Sequence, residues 1–157
     1  MKVIFDLDHT VIDSSHRQLT KPDGSLDIEH WIENSTREKI FADTLLPLAE
    51  TMKWYYNSRK VEVIICTARM ATQHDLDFLA AHGLHYDFIV YRDAGDMRGD
   101  AQYKSEKLAE LALAQGWPSD WRGAAIMFDD NVAVIRQMIL EGLHCVDAIA
   151  KNERLAA

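Results

Sequence analysis

Two pairs of carboxylates stand at the ends of apolar runs. Asp6 and Asp8 follow the first run in Phe5-Asp6-Leu7-Asp8-His9-Thr10, and Asp129-Asp130 ends another, Ala125-Ile126-Met127-Phe128. Alternate residues of an extended segment point the same way, so Asp6 and Asp8 can face one point. An isolated D-x-D is usually a solvated loop in which one aspartate caps a turn. A second acidic pair in the same setting changes that balance. Four carboxylates converging on one edge repel each other unless a cation compensates. The simplest cation is Mg²⁺, which takes few protein oxygens and completes its shell with phosphate and water. Thr67-Ala68-Arg69 closes a further apolar run, where a hydroxyl and nearby backbone N–H groups suit a phosphoryl oxygen. Asp100 and Lys104 are spaced i,i+4, so on a helix the carboxylate is expected to hold the ammonium against a phosphate or a nucleophilic aspartate. Taken alone, such a pair is usually a surface ion pair.

These residues need strands and helices to position them. β-rich runs are expected at Lys2–Phe5, Val61–Cys66, Asp87–Tyr91, Ala124–Phe128 and His144–Val146, with helices over about 43–58, 71–82, 101–115 and 131–142. Val132, Ile135, Met138 and Ile139 keep the helical period, Asn131 suits the N-cap, and Gly142 suits the C-terminal end. Strand–helix alternation predicts an α/β, Rossmann-like fold: a five-stranded parallel sheet flanked by helices, with ligands at the carboxyl ends of the strands. Residues 11–41 break the rhythm and contain the turn signal Lys21-Pro22-Asp23-Gly24-Ser25. They read as a small cap insertion in a single domain over 1–157. The last residues, Lys151–Ala157, read as a frayed end.

Composition narrows the partners. The chain carries 17 Lys and Arg against 25 Asp and Glu, a net charge of −8, which argues against extended duplex binding. No apolar stretch is long enough for a membrane span, and Asp6 and Asp8 interrupt the first apolar run too early for a signal peptide. A cytoplasmic location is expected. Cys66 and Cys145 lie in apolar runs without a C-x-x-C partner and read as free thiols.

Asp6-x-Asp8-x-Thr10, then Thr67, Lys104 and Asp129-Asp130, resemble the four motifs of the haloacid dehalogenase (HAD) superfamily of phosphohydrolases across nearly the whole chain. More narrowly, Arg17, Thr67-x-Arg69 and the run Gly95-Asp96-x-Arg98-x-Asp100-x-x-x-Lys104 resemble the 3′-phosphatase domain of phage polynucleotide kinase-phosphatases. The resemblance implies Asp6 as nucleophile and Asp8 as general acid–base. It places Thr10, Arg17, Thr67, Ala68, Arg69, Asp100 and Lys104 around the phosphate or substrate, and Asp6, Asp8, Asp129 and Asp130 around Mg²⁺. It further implies a phage origin, and so a host-cytoplasmic enzyme acting on a 3′-phosphorylated nucleic-acid end, or alternatively on a free mononucleotide. His9 stands where that family usually has glycine, and no G-x-x-x-x-G-K-[ST] motif of a kinase half is present.

A receiver-like phosphorylation switch is the competing class. It would need its phosphorylated aspartate after the third strand, where only Tyr91-Arg92-Asp93 qualifies, and its acidic pair after the first. Among other residues, Trp54 is expected in the core, Trp31 is the aromatic best placed in the insertion to meet a base, and His16 is a candidate substrate contact.

Overall fold

The computed structural model describes residues 1–157. Five strands, β1 (Lys2–Phe5), β4 (Glu62–Cys66), β5 (Phe88–Val90), β6 (Ala125–Asp129) and β7 (His144–Asp147), form one parallel sheet in the order β5-β4-β1-β6-β7. Val3, Ile4 and Phe5 of β1 and Val63 to Cys66 of β4 are fully buried, as both faces of a helix-covered parallel sheet require. One face packs Val3, Phe5, Val63 and Ile65 under α3 (Leu48–Ser58) and α4 (Gln73–Ala81). The other packs Ile4, Ile64 and Met127 under α5 (Asp100–Ala114) and α6 (Val132–Leu140). The chain runs outward from β1 to β5, then crosses back to β6. The strand order therefore reverses between β1 and β6, and ligand sites form outside such a reversal. Asp6 and Asp129 lie there.

Local chemistry ends the elements where the sequence indicates. Asn131 accepts from the N–H groups of Ala133 and Val134, capping α6, and Gly142 leaves that helix at φ +95°.

Three expectations need correction. The helix expected from 43 starts at Leu48, because Thr44–Leu45 forms a short strand, β3, antiparallel to β2 (Ile12–Asp13), and the N–H of Leu46 donates to Val11. Residues 151–157 are not frayed: Asp147 caps a seventh helix, α7 (Ala148–Ala156). From it, buried Asn152 donates to the Thr10 carbonyl (2.9 Å) and accepts from the Leu48 N–H (2.8 Å). Trp54 is 65% exposed, with its edge against Tyr55 rather than in the core. The stretch 11–41 contains β2, a 3-10 turn over Ser15–Arg17, α1 (Ile28–Glu33) and α2 (Arg37–Phe41). No helix is long and apolar enough to cross a membrane.

Candidate active site

The carboxyl ends of β1 and β6 bring Asp6, Asp129 and Asp130 together, with one oxygen of each within 4.8 Å of the others. Lys104, one turn into α5, reaches under them. Its Nζ lies 2.9 Å from Asp6 Oδ1 and 2.7 Å from Asp129 Oδ2. Burial pushes the Asp6 carboxyl up to about 7; the Lys104 ammonium pulls it down, and repulsion from Asp129 and Asp8 works with burial. Asp130 rises to about 6 by burial and the charge of Asp6. Burial opposes the Lys104 charge, but Asp6 and Asp129 hold the ammonium firmly protonated. Three carboxylates facing one ammonium leave negative charge in excess. All the donors are hard oxygens and few in number, so the set fits a small divalent cation.

The four-carboxylate convergence expected from sequence is thus three carboxylates. Asp8 turns aside, because Arg69 grips it: Nε to Oδ2 at 3.1 Å and Nη2 to Oδ1 at 2.5 Å. Ser14 Oγ also donates to Oδ1. Burial works against the Asp8 charge, yet Arg69 and these hydrogen bonds hold its carboxyl down at about 2. Arg69 is itself fixed by Asp75, Nη1 to Oδ1 at 2.7 Å, and Asp75 Oδ2 accepts from Thr72 N to close the capping box of α4.

Thr67 is buried after β4, its hydroxyl accepting from the Arg69 N–H (3.1 Å), and the Ala68 carbonyl accepts from Arg92 Nε (3.0 Å). The Thr10 hydroxyl is buried and unpartnered. Asp100 does not hold Lys104. It pairs with Arg92 (2.9 Å) and accepts from Asn131 Nδ2, because Lys104 points inward to the two strand-end carboxylates. Arg17 is buried with its fork closed on Asp43, Nε to Oδ1 and Nη2 to Oδ2, both at 2.9 Å. Its Nη1 reaches Ser35 Oγ, and the guanidinium lies 4.0 Å from the centroid of the Trp31 ring. Trp31 is therefore covered rather than open to a base, and His16 Nε2 bonds Asp43 Oδ1 at 2.8 Å.

Sequence reasoning missed Asp43, Asp75 and Ser14. Thr72-x-x-Asp75 has the spacing of a capping box and was findable. Asp43 falls inside the helix expected over 43–58, and nothing local marks Ser14. His9, where glycine is usual, has φ +56°, the left-handed conformation that glycine adopts most easily.

The fold matches those of known hydrolases. A HAD-like hydrolase, SP0104 of Streptococcus pneumoniae, superposes with TM-score 0.66 at 14% identity, over 97% of this chain and 90% of that one. A putative phosphatase from Clostridium difficile gives 0.68 at 13%, over 92% and 82%. A chain of the Pnkp1/Rnl/Hen1 complex gives 0.69 at 25% identity, over 94% of this chain and 45% of that one. In sequence, 85 residues are 36% identical to the 5′-deoxynucleotidase of Escherichia phage T5, covering 52% of this chain. The chain spans about a third of that relative's length (35%). The family model described as bacteriophage T5 5′-deoxynucleotidase, however, matches residues 1–157 from end to end. Phosphohydrolase motifs, a HAD fold and that full-length match agree: the chain belongs to the phage T5 5′-deoxynucleotidase family.

Proposed function

We propose that this site is a Mg²⁺-dependent phosphomonoesterase acting on a free mononucleotide through an aspartyl-phosphate on Asp6. The observation that carries the choice of substrate is the pairing of the cations around the strand ends. Arg17 is matched by Asp43, Arg69 by Asp8 and Asp75, Arg92 by Asp100, Arg98 by Asp96, and Lys104 by Asp6 and Asp129. None of the five is left over to hold the further phosphates of a polynucleotide, whose binding proteins neutralise the backbone with Lys and Arg. The phage T5 relative, a 5′-deoxynucleotidase, favours the same substrate. A 3′-phosphorylated end is the second reading. The likeness to the Pnkp1-containing complex favours it, and so does the resemblance of the Arg17 and Arg69 motifs.

The residues divide the chemistry. Asp6 Oδ1 is held by Lys104, which leaves Oδ2 to attack phosphorus as the ester P–O bond breaks. Asp8, which takes up a proton from solvent as the phosphate binds, donates it to the leaving alkoxide. It then takes a proton from the water that attacks the aspartyl-phosphate, freeing Asp6 and inorganic phosphate. A dianionic phosphate arriving beside Asp8 offsets the Arg69 charge and raises the proton affinity of Asp8, as the first step requires. Asp6, Asp129 and Asp130 would hold Mg²⁺, which supplies positive charge against that of the phosphate. Lys104 keeps the two strand-end carboxylates from repelling each other.

The test is phosphate release with Mg²⁺ from 5′-mononucleotides (deoxy and ribo), 3′- and 5′-phosphorylated oligonucleotides, and sugar phosphates. A kcat/KM for the mononucleotide at least about tenfold above that for either oligonucleotide is expected. Preference for the 3′-phosphorylated oligonucleotide would overturn the mononucleotide reading and favour the second one.

A further inference from the structure

His9 is tied to the general acid by a chain of hydrogen bonds. The loop after β1 is tight, with the N–H groups of Thr10, Val11 and Ile12 all donating to the Leu7 carbonyl. This wrap puts His9 at φ +56° and directs its ring at Gln18. His9 Nε2 lies 3.0 Å from Gln18 Oε1, Gln18 Nε2 lies 3.0 Å from Ser14 Oγ, and Ser14 Oγ bonds Asp8 Oδ1.

Donor chemistry fixes the direction of this chain from its far end. A carboxylate oxygen only accepts, so Ser14 must donate to Asp8. The Ser14 oxygen is then left to accept, and the Gln18 amide nitrogen donates to it. The Gln18 amide oxygen therefore faces His9, and His9 must carry its proton on Nε2. Every proton in the chain points toward Asp8, and such aligned bonds strengthen one another. At Asp8 itself, Oδ1 accepts from both Ser14 and Arg69 Nη2, whereas Oδ2 accepts only from Arg69 Nε. Oδ2 is the oxygen with room for the transferable proton.

We propose that His9 is a positioning residue: through Gln18 and Ser14 it saturates Asp8 Oδ1 and so confines the acid proton to Oδ2, aimed at the leaving group. This rests on the phosphomonoesterase reading above. It also accounts for a side chain where glycine would be easier for the backbone, since glycine adopts this conformation without strain.

The same fact supplies a variant that folds. His9→Gly relieves the backbone while cutting the chain, and Gln18→Met cuts it one bond further on. The readout is kcat/KM, which reports phosphoryl transfer to Asp6, on a deoxynucleoside 5′-monophosphate and on p-nitrophenyl phosphate, with thermal unfolding alongside. The alkoxide leaving group needs the proton of Asp8, whereas nitrophenolate needs it far less. His9→Gly is expected to lower kcat/KM about tenfold on the nucleotide and less than about twofold on the aryl ester. Its Tm should be equal to or above wild type. The double variant should lose no more than the larger single loss, because both changes break one chain. Equal losses on the two substrates, additive losses in the double variant, or wild-type activity in His9→Gly would each overturn the assignment. If the wild-type enzyme hydrolyses neither substrate, it is the phosphomonoesterase reading that fails, and the two failures are thus distinguishable.

Discussion

Arg17→Met separates two roles for a residue that the sequence alone suggests is a phosphate clamp. In the structure both oxygens of Asp43 accept from Arg17 at 2.9 Å, and the two side chains are 1% and 0% exposed. Methionine fills the space but leaves the Asp43 carboxylate buried, with His16 on Oδ1 and only the more distant Arg69, 3.9 Å away, on Oδ2. Removing one partner of such a pair costs about 3–5 kcal/mol, a large part of the roughly 5–15 kcal/mol that stabilises a domain. For a chain of this size that is a fall of roughly 6–20 °C in Tm. Asp43→Leu should cost a similar amount, since it strands the buried guanidinium. The double variant Arg17→Met with Asp43→Leu should recover most of the loss, because two apolar side chains leave no charge unpaired. Urea unfolding of the four proteins measures the coupling directly. If Arg17→Met costs less than about 1 kcal/mol, the range of an exposed pair, while turnover collapses, the reasoning is refuted and Arg17 reaches the phosphate.

Three further outcomes follow from other buried polar groups. With a chelator present, stability should fall as pH rises from about 4 to about 7. Asp6 and Asp130 keep their protons in the folded state up to about 7 and about 6, whereas the unfolded chain releases them near 3.8, so the folded state binds more protons across that window. Mg²⁺ should therefore raise Tm more at pH 7 than at pH 5, since it needs the deprotonated ligands; equal increments would count against the carboxylate site. Asn152→Leu should destabilise the protein by about 2–6 kcal/mol, because it orphans the buried Leu48 N–H and Thr10 carbonyl, each worth ~1–3 kcal/mol. Chemical denaturation checks this, and a loss below about 0.5 kcal/mol would show that the α7 contact is dispensable.

The parts of the molecule legible in the sequence are those governed by local rules. β1 falls at its expected residues because four apolar-rich positions precede a pair of aspartates, and α6 declares itself by period, N-cap and closing glycine. The strand-end carboxylates are legible because their environment, an apolar run ending in acid, is itself a sequence pattern. Long-range partners were not legible. Asp43 pairs with Arg17 26 residues away, and Asn152 bonds Thr10 142 residues away, and neither separation leaves a trace in spacing. The i,i+4 rule misassigned Asp100 for the same reason: it sees the neighbour on the helix, not the carboxylates brought in by β1 and β6. Trp54 shows the limit of hydrophobicity as a guide, since its place on α3 faces outward whatever its size.

The most direct test of the central claim is to trap the phosphoryl group on Asp6. Mixing excess enzyme with a ³²P-labelled deoxynucleoside 5′-monophosphate and Mg²⁺, quenching in acid during the first turnover and mapping the labelled peptide asks which atom takes the phosphate. A hydroxylamine-sensitive acyl phosphate is expected on the peptide carrying Asp6, with no label or turnover in Asp6→Asn. Phosphate release at the wild-type rate from Asp6→Asn, or label on any other residue, would contradict the claim.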